Sequence, residues 1–193
     1  MTDSATLDAE ELLHLGLYAA QHDEPQQAIE CLKRCIALDP ESAQATYMLG
    51  AMYAQIGLYD RAKVTLTRAV ALNPKEHTAS FQLGLLHLTS NELPEAHAAW
   101  VHLEALPADH FLNLFRFGLL ALVADEFDKC AALLEQGIAA NALNEALNED
   151  MRKLRASAQA AAAAPKSAAP GEQDTATESG HHFLGSYRTQ TRQ

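Results

Sequence analysis

The sequence predicts an all-α protein, with four helix–turn–helix repeats stacked as a solenoid, then a C-terminal capping helix and a flexible tail. One observation is a 34-residue period, on which a glycine returns at Gly16, Gly50, Gly84 and Gly118. A second is that segment 36–40 (IALDP) returns at 70–74 as VALNP, with weaker echoes at 104–107 and 138–141. A third is the three- and four-residue spacing of apolar residues, which is typical of helices with one buried face. A fixed period without insertions over four copies indicates a stacked helical array.

The first helix is predicted to begin after Asp8, whose side chain can cap it, with Glu10 and Glu11 in the opening turn where carboxylates suit the helix dipole. A short polar lead at residues 1–8 precedes it. The repeats are then expected at residues 9–42, 43–76, 77–110 and 111–144.

Each repeat contains a turn between its two helices, predicted at residues 22–25, 57–60, 91–94 and 125–128. Pro25 suits the first position of a helix, because its missing N–H has no partner there anyway. The second helix of the first repeat should end before Asp39 and Pro40, since proline disfavours helix in the residue before it.

The last part of the chain has a different composition. A more polar helix is predicted at residues 145–164, with Leu147, Met151 and Leu154 on one stripe, and it would cap the open end of the stack. Residues 165–193 then read as a flexible tail. The short apolar segment from Phe183 to Tyr187 is either a frayed end or a docking segment.

The charge of the chain is acidic, with 25 carboxylates, 14 basic residues and a net charge of −11. Residues 1–164 carry 22 acidic and 11 basic residues, whereas residues 165–193 carry three of each, so the net charge lies on the helical part. Such a surface repels phosphate backbones, which excludes nucleic acid as an expected partner and favours basic or apolar protein segments.

The sequence contains no recognisable targeting or membrane segment. Its beginning lacks the basic start and apolar core of a signal peptide. No uncharged apolar run reaches the roughly 18 residues needed to span a bilayer. Three cysteines do not make a disulfide framework in a chain of 193 residues, and a reducing cytoplasm is the expected location.

Several of these residues resemble the tetratricopeptide repeat (TPR) family over about residues 9–144. The four glycines match the family's glycine, and its small residue early in the second helix is matched by Ala28, Ala62 and Ala96. Its large apolar position is matched by Leu32, Leu66, Trp100 and Leu134, and its closing proline by Pro40 and Pro74. The chain departs from the family at two positions. The family's first-helix tryptophan is replaced by Leu12, Thr46, Ser80 and Leu114. The third closing proline comes one residue early, at Pro107, and the fourth is replaced by Ala142. The later repeats are therefore expected to join at altered angles.

The resemblance implies a concave groove lined by the first helices of successive repeats. Mapped onto this chain, the groove residues are Leu13, Leu17, Gln44, Tyr47, Met48, Gln55, Phe81, Gln82, Leu85, Leu88, Phe115, Arg116, Leu119 and Leu122. Arg116 is the only permanently charged basic residue among them, so the carboxylate clamp of some TPR proteins is not expected. An apolar or amphipathic segment of a partner protein would suit this face, unless the protein itself covers it, for example with Phe183 and Leu184.

Catalytic and metal-binding patterns are not expected, and no cofactor is implied. His97 and His102 are five residues apart, which does not place them on one helix face as a zinc pair requires. Cys35 and Cys130 fall at small positions of the repeat and read as small apolar core residues.

A non-catalytic interaction module is therefore the expected function. The alternatives are a small acidic cytoplasmic chaperone, similar in size and charge to the TPR chaperones of bacterial type III secretion, and self-assembly through the tail.

Overall fold

A computed structural model describes residues 7–142 and 144–163, and over these residues the chain is helical without any strand. The helices are α1 Ala9–Gln21, α2 Pro25–Leu38, α3 Ala43–Gln55, α4 Tyr59–Leu72, α5 His77–Thr89, α6 Leu93–Ala99, α7 Phe111–Val123, α8 Phe127–Ala140 and α9 Glu145–Ala163. Helix α6 continues as a 3₁₀ segment, Trp100–Ala105. The all-α prediction is confirmed. The apolar segment predicted at Phe183 to Tyr187 lies outside the described residues.

The chain divides into two compact units. Over the described residues, unit 1 holds 7–87 and 93–102, and unit 2 holds 88–92 and 103–163 without 143. The division therefore passes through the predicted third repeat, residues 77–110, instead of falling between two repeats.

Helix pairs in each unit cross closely at the periodic glycines. A Cβ placed on Gly50 would lie 2.7 Å from Leu66 Cγ, and one on Gly118 would lie 2.8 Å from Leu134 Cδ2. On Gly84 it would collide with the Trp100 indole. The large residue of the second helix thus fills the space that glycine leaves on the first, which is why these two positions repeat together.

The core of unit 1 consists of two apolar clusters. The first joins α1, α2 and α3 and includes Leu12, Leu32 and Leu49. The second joins α3 to α6 and includes Leu66 and Leu83. Small residues between these leucines let the helices approach closely.

All three cysteines are free and buried, as was predicted for Cys35 and Cys130. Cys35 belongs to the first cluster of unit 1. In unit 2, burial raises the pKa of the Cys130 thiol to about 12, so it stays protonated near neutral pH.

The turn within each helix pair places one residue in the left-handed region of backbone conformation. These residues are Asp23 (φ 57°), Gly57 (φ 77°), Asn91 (φ 62°) and Asp125 (φ 56°), and they share the 34-residue period. Glycine, asparagine and aspartate are the residues that adopt this conformation most readily. The residue types were visible in the sequence, but sequence reasoning did not identify their common conformation.

The helix ends in unit 1 follow the predicted signals. Asp8 and Glu11 form a reciprocal cap on α1, with the Glu11 backbone N–H donating to Asp8 Oδ1 at 2.8 Å and the Asp8 N–H donating to Glu11 Oε2 at 2.9 Å. Pro25 opens α2, which ends at Leu38, directly before Asp39 and Pro40.

Buried asparagines lie at the two connections of unit 2 that contain Pro107 and Ala142, where the sequence departs from the proline found at residues 40 and 74. The Asn113 side-chain amide donates to the carbonyls of Leu103, Leu106 and Pro107 at 3.1, 3.2 and 3.0 Å. After α8, Asn141 Nδ2 donates to Asn148 Oδ1 at 2.9 Å, and Asn148 Nδ2 donates to the Asn141 carbonyl at 2.8 Å. Side-chain amides therefore close these connections by satisfying backbone carbonyls.

Helix α9 packs against α8. Its stripe of Leu147, Met151 and Leu154 is buried, as predicted, and its other side is polar. An ion pair between Arg155 and Glu135 also links α9 to α8.

Candidate partner-binding groove

The first helices of unit 1 present side chains in one register. Leu13 on α1 is 34 residues before Tyr47 on α3, and Leu17 is 34 residues before Ala51. Helices α1 and α3 contact each other, so these positions form neighbouring rows. Leu13, Leu17 and Tyr47 are half-buried, and each leaves part of an apolar side chain accessible.

Two polar residues, Gln44 and Gln55, and the apolar Met48 lie beside these rows on α3. Gln44 is exposed and Met48 is half-buried. Gln55 is exposed, but its amide already donates to Asp23 Oδ1 at 3.0 Å, across to the turn between α1 and α2. Gln55 therefore ties two parts of unit 1 together, a role that its sequence position did not reveal.

Tyr47 lies in a poorly hydrated environment. Desolvation by burial, with a smaller contribution from the Glu76 carboxylate, raises the pKa of Tyr47 to about 12. Both causes disfavour the phenolate. Tyr47 therefore presents a neutral hydroxyl near pH 7, which can donate a hydrogen bond from a mainly apolar surface.

Of the four predicted residues on helix α5, two are buried and two are partly accessible. Phe81 is fully buried, and its ring stacks on Trp100 with 6.3 Å between centroids. The Trp100 indole N–H donates to the Phe81 carbonyl at 3.1 Å, so Phe81 belongs to the core. Gln82 and Leu85 are half-buried, and the buried Gln82 Oε1 has no hydrogen-bond partner within the described residues.

Four further predicted groove residues are buried. Leu88 is 1% exposed, and Phe115, Leu119 and Leu122 are each 0% exposed. The Phe115 ring lies over Gly137 so closely that a Cβ there would collide with it. With Phe81, five of the fourteen predicted residues therefore pack in the interior of the protein as it stands.

Arg116 in unit 2 is half-buried and lies over the ring of Phe117, with 4.6 Å from Cζ to the centroid. Desolvation lowers the pKa of Arg116, and the nearby Glu104 carboxylate opposes this shift. Its buried Nε has no hydrogen-bond partner within the part of the chain that the structure describes. The guanidinium is thus partly engaged by an aromatic ring, which is unlike a cation that extends into solvent to clamp a carboxylate.

The part of the chain that the structure describes shows neither a metal-binding cluster nor a membrane-spanning helix. Within residues 7–142 and 144–163, no group of three histidine, cysteine or acidic side chains is placed to hold a metal ion. Over the same part of the chain, no helix has the length and apolar character needed to cross a membrane.

Comparison with known proteins gave one family match and several structural matches. The tetratricopeptide repeat family model matches residues 19–83, which lie in unit 1. A crystal structure of MamA is 28% identical, with a TM-score of 0.58, covering 68% of this chain and 77% of that chain. A MamA fragment from Desulfovibrio magneticus RS-1 is 17% identical, with a TM-score of 0.53 and coverages of 80% and 89%. YrrB, described as a TPR protein with an unusual peptide-binding site, is 14% identical, with a TM-score of 0.52 and coverages of 96% and 87%. A search of curated proteins gave no match.

Proposed function

We propose that this chain, which is a tetratricopeptide repeat protein, is a non-catalytic interaction module that binds a segment of another protein. The binding surface is the first-helix face of unit 1, defined by Leu13, Leu17, Tyr47, Met48 and Leu85. The observation that carries the proposal is that these five side chains are half-buried. They are held in place by the core yet keep accessible apolar surface, as binding anchors require.

The chemistry of this face favours an apolar or amphipathic segment. The accessible side chains of α1 and α3 follow helical spacing, and they can contact side chains at similar intervals on a partner helix or an extended partner segment. Met48 is unbranched and adaptable, which suits such a groove. The net charge of −11 on the chain favours a partner with basic residues beside its apolar ones, because opposite charges steer association.

The polar groups on the same face support binding over catalysis. The Tyr47 hydroxyl can donate a hydrogen bond to a partner carbonyl, and the exposed Gln44 amide can both donate and accept. The Tyr47 phenol, with a pKa of about 12, and the side-chain amides of Gln44 and Gln82 offer no effective general base near neutral pH. The free cysteines agree with the proposed cytoplasmic location.

The test compares proteins that co-purify with the native chain and with a Met48→Asp/Leu85→Asp variant. Both sites are partly accessible, so the substitutions add charge to the face without emptying the core. Val64→Asp is the matched control, because Val64 lies on α4, is 74% exposed and is outside this face. A specific partner should be lost from the double variant and retained by the control, with melting temperatures of all three within a few degrees.

Retention of the same partner by the double variant would refute the proposed face. Phe81 and Phe115 are unsuitable for this experiment, because their full burial makes any loss of binding inseparable from a loss of stability. The chaperone alternative stays a prediction, and co-expression tests it by whether an identified partner needs this chain to remain soluble.

A further inference from the structure

A second surface of unit 1 lies on α1, opposite the face proposed above. We call it the α1 stripe, and it consists of Glu11, Leu15, Tyr18 and His22. The residues are spaced by four, three and four positions, which is the spacing of a coiled-coil seam. Leu15 is 38% exposed and Tyr18 is 58% exposed, although both are large apolar residues.

The same positions are buried in the next two repeats. Leu49 and Met52 stand 34 residues after Leu15 and Tyr18, and both are 7% exposed. They belong to the cluster that contains Leu32 of α2, so they pack against the preceding helix pair. One period later, the corresponding leucines are only 5% and 9% exposed and pack in the cluster that includes α4.

This comparison identifies the α1 stripe as a helix-packing surface. The repeat builds this face to receive a neighbouring helix pair, and on α1 no helix of the described residues covers it. Burial of two large side chains would contribute favourably, since apolar surface removed from water stabilises an association in proportion to its area.

The stripe is complementary to itself in an antiparallel arrangement. A two-fold axis between Leu15 and Tyr18 places each Leu15 against the second copy's Tyr18. The same operation places each Glu11 opposite the second copy's His22. Apolar residues then meet at the centre and a carboxylate faces an imidazole at each end, which is the reciprocal pattern that a two-fold interface requires.

The two end residues are already oriented by local contacts. His22 Nδ1 lies 2.8 Å from the Tyr18 carbonyl, which can only accept, so Nδ1 donates, and the doubly protonated ring also carries an Nε2–H that can donate to a carboxylate. The ring also stacks on Tyr18, with 3.9 Å between centroids. Glu11 Oε2 accepts from the Asp8 backbone N–H, which leaves Oε1 for the facing imidazole. Antiparallel helices also bring opposite ends of their dipoles together.

We propose that a second copy of this chain covers the α1 stripe, forming an antiparallel homodimer of α1 helices. This is separate from the partner-binding face, because Leu13 and Leu17 lie on the other side of α1, and it is separate from the predicted tail segment. A seam of this length is at the small end of specific interfaces, so the dimer dissociates on dilution.

The oligomeric state of the full chain tests the proposal. Sedimentation velocity over a wide concentration range should show twice the chain mass at high concentration and the monomer on dilution. Tyr18→Glu should keep the chain monomeric at all concentrations, whereas Val64→Glu, on the exposed side of α4, should dimerise like the native chain. Circular dichroism melts, recorded at a concentration where the native chain is monomeric, should be the same for both variants.

A monomer at every concentration of native protein would overturn the proposal, as would a dimer that survives Tyr18→Glu. A dimer lost on Phe183→Ser would assign the contact to the tail and also overturn it. The partner-binding face has a different readout, because Tyr18→Glu should still retain the co-purifying partner.

Orientation is tested with single cysteines on the stripe. Oxidising a mixture of Leu15→Cys and Tyr18→Cys chains should give a cross-linked heterodimer, and neither variant alone should cross-link efficiently. Efficient cross-linking of Leu15→Cys alone would indicate a parallel pair and refute the antiparallel register. The native cysteines are buried, and the native chain serves as the background control.

Discussion

The close crossing at Gly50 yields the most quantitative prediction. A Cβ at this position would lie 2.7 Å from Leu66 Cγ, 2.9 Å from Leu66 Cδ2 and 3.3 Å from the Leu66 backbone nitrogen. Real Cβ atoms do not approach carbon atoms this closely, so Gly50→Ala forces α3 and α4 apart or moves Leu66 off its rotamer. Overpacking of this kind costs about 1–3 kcal/mol.

Helix propensity opposes part of that cost. Alanine is more favourable than glycine in a helix interior by about 1 kcal/mol. The expected net loss for Gly50→Ala is therefore about 0–2 kcal/mol in the free energy of unfolding. Gly50→Leu places three more carbons in the same space and should lose more, by a few kcal/mol on the same scale.

A double-mutant cycle separates the clash from other effects. Leu66→Ala alone removes a fully buried leucine and should cost about 2–5 kcal/mol. In Gly50→Ala/Leu66→Ala the new methyl group no longer meets the leucine and fills part of the cavity. Urea unfolding, monitored by circular dichroism, should therefore show the double variant to be more stable than the sum of the single losses. Additivity within about 0.5 kcal/mol would refute the close crossing.

Two further predictions concern a turn and a buried phenol. Asn91→Gly should raise the thermal midpoint and increase the free energy of unfolding by about 0.5–1 kcal/mol, because residue 91 has φ 62° and glycine adopts this region without steric cost. Gly57→Ala, at φ 77°, should lower the free energy of unfolding, and an increase would contradict this reasoning. Tyr47 has a folded-state pKa of about 12 against 10.0 for the ordinary group, so its protonated form stabilises the fold fully below pH 10 and this contribution is lost as pH rises through about 12. The loss amounts to about 2–3 kcal/mol. Tyr47→Phe should remove that part of the alkaline decline in urea midpoints, and an unchanged decline would assign it to other groups.

Much of the helical architecture could be predicted from local sequence patterns. Asp8, Pro25 and Pro40 marked helix ends that the structure has, since capping and the loss of a backbone donor act over a few residues. The contact of each periodic glycine with the large residue of the second helix could have been inferred from their shared period, because the crossing requires a small residue opposite a large one. The left-handed turn residues could have been found in the same way, from the shared period of Asp23, Asn91 and their equivalents.

The candidate site was predictable only in part. The family resemblance pointed to positions on α1 and α3, and of these Leu13, Tyr47 and Met48 keep accessible surface. It could not separate these residues from Phe81, whose burial depends on the Trp100 ring stacked against it. Nor could it show that Gln55 is engaged by a turn more than thirty residues away.

What the sequence by itself determined is the repeat and its helices, because these depend on periodicity and on contacts between residues close in the chain. Only the tertiary structure decided which residues of the predicted groove remain accessible, and that no helix of the described residues covers the packing face of α1. Both are questions of what lies against a side chain from another part of the molecule. The same leucine position is buried at residue 49 and open at residue 15, because exposure is a property of the neighbours and not of the residue.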